Sequence, residues 1–180
     1  MTRNIRMLSL LLFAAACSRS TEDTQAPPAP PAATRAAPTA APPNRKAPDC
    51  ARVAPRTMME KHCPQCVLTE KKSPDGRGVS CRYKGESIGG EFEIMLACDE
   101  DLAKEQVIAE SLRQFESLKT MKYERIEGLG RGAVKNGDLQ VVFWDDDTPC
   151  QATLTGVMVK VDLAAVARDL AAAITPAALE

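Results

Sequence analysis

Residues 49–180 predict an α+β domain: an antiparallel sheet of about four to five strands with helices packed on one face, held together by disulfides. Three observations carry that prediction. Segments of period two alternate along the chain with segments of helical period. Their order, helix, two strands, helix, about three strands, helix, groups the strands into hairpins rather than strand-helix-strand units. Six of the seven cysteines fall within this stretch, an even number suited to bridging.

Pro55 suits the first turn of a helix running to about His62, with Met58 and Met59 facing inward. Charge, Pro74 and Asp75-Gly76 mark Lys71 to Gly78 as a loop. Val79, Cys81 and Tyr83 then begin a strand, and Phe92, Ile94, Leu96 and Cys98 alternate with polar neighbours in a second. With Gly85 to Gly90 turning the chain between them, the two pair as a hairpin. Asp101 reads as the N-cap of a helix through Leu118, whose Ile108, Leu112, Phe115 and Leu118 share a face. Lys122 to Ile126 and Leu139 to Trp144 read as strands around the glycine-rich Gly128 to Gly137. Gln151 to Val161 is a longer strand, with a bulge placed at Gly156. Asp162 caps a last helix carrying Leu163, Val166, Leu170 and Ile174, which Pro176 ends.

Ahead of this domain lies a leader. Arg3 and Arg6 give a positive start, Met7 to Ala16 form a short apolar run, and small residues close it, the secretory-signal pattern. The run is too short to span a bilayer, which takes roughly twenty apolar residues. Ala14-Ala15-Ala16-Cys17 resembles the close of a bacterial lipoprotein signal, which implies cleavage after residue 16 and lipidation of Cys17; Ala14 stands where leucine is usual, and Ala14 with Ala16 also suits the ordinary signal peptidase. Ser18 after the cysteine implies, by analogy with enterobacterial sorting, the outer membrane. Residues 17–48 hold eight of the thirteen prolines and almost no large apolar side chain, the composition of a disordered tether. At about 3 Å per residue it would hold the domain up to roughly 90 Å from the membrane.

Export to an oxidising compartment makes three disulfides of Cys50, Cys63, Cys66, Cys81, Cys98 and Cys150. Six cysteines allow about fifteen pairings. The preferred set is Cys50 with Cys81, Cys98 with Cys150 and Cys63 with Cys66, because the first two pin a leading helix and a late strand to one central sheet. Loops of those lengths contribute about 4 kcal/mol each in the chain-entropy model. Such bridges compensate for a core drawn from a chain with only four Phe, two Tyr and one Trp.

Asp49-Cys50 opening a short helix, Gly78-Val79-Ser80-Cys81-Arg82-Tyr83 in the first strand, and Ile126-Glu127-Gly128-Leu129-Gly130 with Ala133 before the late hairpin occur in a telling order. In these, from Cys50 to about Ile174, the domain resembles a family of short, uncharacterised actinobacterial lipoproteins. Cys63, Cys66, Cys98 and Cys150 are additions to that pattern. The resemblance implies a lipid-anchored α+β module without enzymatic activity.

Several motifs bear on chemistry. In His62-Cys63-Pro64-Gln65-Cys66 a Cys-x-x-Cys pair offers thiol-disulfide exchange, but that chemistry wants a helix after the pair, whereas here the helix precedes it. The histidine also precedes the pair, which excludes c-type haem attachment. Zinc held by Cys63, Cys66, His62 and either Cys50 or Cys81 lacks a second compact ligand pair. Gly128-Leu129-Gly130-Arg131-Gly132 is followed by strand rather than helix and carries no Lys-Ser/Thr, so it reads as a turn with unusual backbone angles. Asp145-Asp146-Asp147 lacks the spaced acidic pattern of a calcium loop. No nucleophile elbow occurs, and the single histidine is His62 of the Cys-x-x-Cys motif, so no serine-histidine triad is read.

The expectation is a non-catalytic envelope protein, anchored to the membrane by its lipid, facing the periplasm or cell surface and binding another envelope protein. No cofactor, metal or nucleic-acid partner is expected; the net charge of -1, with both signs interspersed, offers no basic face. Gly128, Gly130, Arg131 and Trp144, beside Phe143, are the candidate contact surface, with strand core as the alternative for both aromatics. The rival readings are a thiol-disulfide oxidoreductase using Cys63 and Cys66 and a zinc-binding module.

Overall fold

The computed structural model describes residues 48–180; the leader, Cys17 and the tract as far as Ala47 lie outside the described residues. Asp49 caps α1 (Cys50–Val53), its carboxylate accepting from the Ala51 amide at 2.8 Å. After Pro55 comes α2 (Arg56–His62), which buries Met58 and Met59. Strands β1 (Val67–Lys72), β2 (Gly78–Gly85) and β3 (Gly90–Cys98) follow as an antiparallel meander. The chain then passes through α3 (Glu105–Ser117) and the strands β4 (Glu124–Arg125), β5 (Gly132–Asn136), β6 (Gln140–Trp144) and β7 (Cys150–Gly156). Two helices end it, α4 (Leu163–Ala173), capped by Asp162, and α5 (Pro176–Leu179), capped by Thr175.

All seven strands join one antiparallel sheet in the order β1-β2-β3-β7-β6-β5-β4. The fold is thus α+β and disulfide-bonded, but with more strands than the four to five expected. The two additions have physical causes. β1 is exposed at every one of its six positions, so it has no buried face to impose an alternating pattern. β5 lies inside the glycine-rich run and begins with Gly132, where a side chain would press on Leu112 of α3, its Cβ only 2.7 Å from Leu112 Cδ1.

The placement of helices on one face also needs correction. Phe92, Ile94, Phe143 and Leu154 share one face of the sheet with Leu163, Val166 and Leu170 of α4 in the main core. Val134, Val142 and Trp144 point the opposite way and pack with Ile108 and Leu112 of α3. Four successive residues of β6, Val141 to Trp144, are therefore buried. A continuous apolar run is what a strand covered on both faces requires, and that run was the signal for a second helical layer.

Smaller differences follow local chemistry. Asp99, not Asp101, caps a 3-10 turn over Glu100–Ala103, and α3 starts only at Glu105. β7 ends at Gly156 instead of bulging there. Cys50–Cys81 ties α1 to β2, Cys98–Cys150 joins directly opposed residues of β3 and β7, and Cys63–Cys66 closes the turn behind α2.

Candidate functional site

The loop before β5 brings Gly130, Arg131 and Trp144 together. Gly130 has φ +57°, and a Cβ there would lie 2.0 Å from the Trp144 carbonyl oxygen, so only glycine fits. The Arg131 amide donates to that same carbonyl at 2.8 Å. Its guanidinium donates to the carbonyls of Asp145 at 2.8 Å, Ala103 at 2.7 Å and Thr148 at 3.0 Å. One side chain thereby ties the β5 loop, the segment before α3 and the β6–β7 turn. Trp144 is 1% exposed beneath α3, its ring 6.4 Å from that of Phe115 and its Nε1 without a hydrogen-bond partner among the described residues. Phe143 is fully buried on the other face. Gly128, at φ +69° with open space around it, stands apart from this knot. These residues build a rigid corner in which Trp144 and Phe143 are strand core and the half-buried Arg131 is engaged by three backbone carbonyls.

The neighbouring Asp145-Asp146-Asp147 turn is organised by its first carboxylate. Asp145 Oδ2 accepts from the Thr148 amide at 2.9 Å, the Thr148 hydroxyl at 2.7 Å and the Asp147 amide at 3.2 Å. Burial pushes the Asp145 carboxyl above its ordinary range, with the bonds from Thr148 and Asp147 opposing. Among the described residues no three His, Cys, Asp or Glu side chains are grouped so as to hold a metal ion. The sulfurs weighed for zinc are joined in bridges, and His62 Nε2 lies 2.9 Å from Asp169 Oδ2 on α4.

The Cys63–Cys66 bridge occupies a different corner. Cys63 is the C-cap of α2, so it sits at the negative end of the helix dipole, where a thiolate is disfavoured. Gln65 between the cysteines has φ +61°, and the Pro64 carbonyl accepts from the Ser87 hydroxyl at 2.9 Å. Cys63 is buried, whereas Cys66 is half-buried. Cys66 lines a groove of about 560 Å³ with Ala51, Ala54, Met59, Leu68 and Tyr83, between the first two helices and β1. Tyr83 donates to the Ala54 carbonyl at 3.4 Å at its base. Burial, then the charge of Glu70, pushes the Tyr83 hydroxyl up to about 12, so it stays a neutral donor.

This groove was not singled out by the sequence, because its wall is an exposed strand without a pattern. A second cleft, of about 450 Å³, lies by the Cys98–Cys150 bridge and is lined by Pro48, Arg77, Glu100, Asp147, Pro149 and Leu179; Arg77 is paired there with Asp99. Of these two the first groove is the better candidate, since Leu68 of the terminal strand β1 forms part of its wall. Among the described residues no helix is long and apolar enough to cross a membrane. Compared with protein-family models, with curated proteins and with solved structures, the chain matches none of them.

Proposed function

We propose that this is a non-catalytic, lipid-anchored protein of the cell envelope, sited at the outer membrane, whose bridged domain binds another envelope protein. The observation that carries the reading is a largely apolar groove, rimmed by Arg56 and Glu60, beside an exposed edge strand of a disulfide-linked sheet. A rigid scaffold with a concave apolar strip suits recognition, because little ordering is lost on association. The leader's likeness to lipoprotein signals supports anchoring through Cys17. The proline-rich tract supports a reach away from the bilayer, and the resemblance of the domain's motifs to those of short actinobacterial lipoproteins favours the same non-enzymatic module. The rival thiol-disulfide reading has the groove-lining Cys66 in its favour and the helix-end position of Cys63 against it.

The test of anchoring is metabolic labelling of the whole protein with a fatty-acid analogue. Cys17 should carry the label, and Cys17→Ala should lose it and be released into the soluble fraction, since Ala14 and Ala16 still suit the ordinary peptidase. Label that persists in the variant, or a wild-type protein that is never labelled, contradicts the reading.

A further inference from the structure

We propose that the free edge of β1, together with the groove beside it, takes an extended peptide of alternating apolar and acidic residues as an added strand. The inference rests on the binding-module reading above and gives its partner a chemistry. Among the described residues β1 is one of the two terminal strands of the sheet and pairs only with β2. Half of its backbone N–H and C=O groups therefore face outward, the geometry used when a peptide extends a sheet. Val67 is 68% exposed and Leu68 39%, so the first half of the strand is both free and apolar.

The two faces of this edge differ. Leu68 lies across from Tyr83 on the helix side, where the groove with Met59 and Cys66 awaits every second side chain of an added strand. Val67, Thr69 and Lys71 lie on the opposite side, across from Lys84, Arg82 and Ser80. That rim is basic: Lys71, Lys84 and Arg82 are exposed, and the carboxylates of Glu91 and Glu93 lie one strand further in, Glu93 3.8 Å from Arg82. Strand neighbours stand about 4.8 Å apart, so the intervening side chains of a bound peptide would sit against this rim, and acidic ones match it. On the helix side Glu70 and Lys72 are already engaged, Glu70 with the Cys50 amide at 2.9 Å and Lys72 with Glu70 at 3.5 Å and Asp49 at 4.0 Å. A second copy of this chain is the poorer occupant, because its own β1 would bring a like-charged rim. Charges on an edge strand also discourage indiscriminate pairing; here they discourage basic partners and admit acidic ones.

The test uses the whole exported protein with two labelled peptides, one alternating valine with glutamate and one alternating valine with lysine. The glutamate peptide should bind saturably and slow amide exchange in β1, and the lysine peptide should bind roughly tenfold more weakly. Lys71→Glu with Lys84→Glu should reverse that order, and Leu68→Lys should weaken both, with β3 and β7 exchange unchanged as proof of folding. Equal binding of the two peptides, protection away from β1, no saturable binding, or a concentration-dependent dimer through β1 each overturns the proposal. Photo-crosslinkers placed in the cell at Val67 and, separately, at Met158 distinguish the two levels. Capture of one defined envelope protein at Met158 alone sinks the edge proposal and leaves the binding module standing, whereas capture at neither site contradicts both.

Discussion

Gly128 and Gly130 are two residues apart, both in the left-handed region, yet a methyl group would meet open space at the first and a carbonyl oxygen at the second. Gly128→Ala should cost about 1–2 kcal/mol, the left-handed penalty alone. Gly130→Ala should exceed about 3 kcal/mol, since the backbone carrying Trp144 must also move; urea unfolding of the two variants measures the difference. His62 and Asp169 give a pH signature. The hydrogen bond from His62, aided by Lys61, holds the half-buried Asp169 carboxyl below its ordinary 3.8. A lowered carboxyl adds stability above the unfolded value and loses it as pH falls through the folded one. Asp169→Asn should therefore lower stability slightly at neutral pH and flatten its loss below pH 3.8, the two proteins converging in acid, as unfolding at stepped pH will show. At this scale the sequence was legible in residue type and less so in role. Arg131 stood out beside glycines, but only the folded chain brings the Ala103, Asp145 and Thr148 carbonyls within its reach.

Elements with one buried face were readable, and those without were not. β3 alternates Phe92, Ile94, Leu96 and Cys98 inward, and α4 buries Leu163, Val166 and Leu170 behind an Asp162 cap, so period and cap agreed before any packing was known. β1 carries no such imprint, because neither of its faces is buried. α3 showed its apolar stripe, but which side of the sheet receives it depends on the register of β5 and β6, a long-range fact. The second layer has its own consequence. Leu112 is 4% exposed in a small cluster with Ile108, Val134, Val142 and Trp144, and Leu112→Ala should cost about 2–5 kcal/mol. Hydrogen exchange should speed up first in β5 and α3, while β2 and β3, tied by two bridges, keep their protection. Uniform loss across the sheet would show that the two layers are one cooperative unit.

Across the whole molecule, the bridges have separate tasks. Cys50–Cys81 and Cys98–Cys150 span 31 and 52 residues and fasten α1 to β2 and β3 to β7, whereas Cys63–Cys66 shapes one wall of the groove. On the proposed function all three are structural, and the domain works by binding at the end of a lipid-anchored tether. Intact mass of the membrane-extracted protein after thiol alkylation under native conditions tests this most directly. The predicted result is a chain beginning at Cys17 with an added acyl mass and six cysteines that take no label until the domain is denatured and reduced. Selective labelling of Cys63 and Cys66 in the folded protein after mild reduction, or an unmodified residue 17, would contradict it.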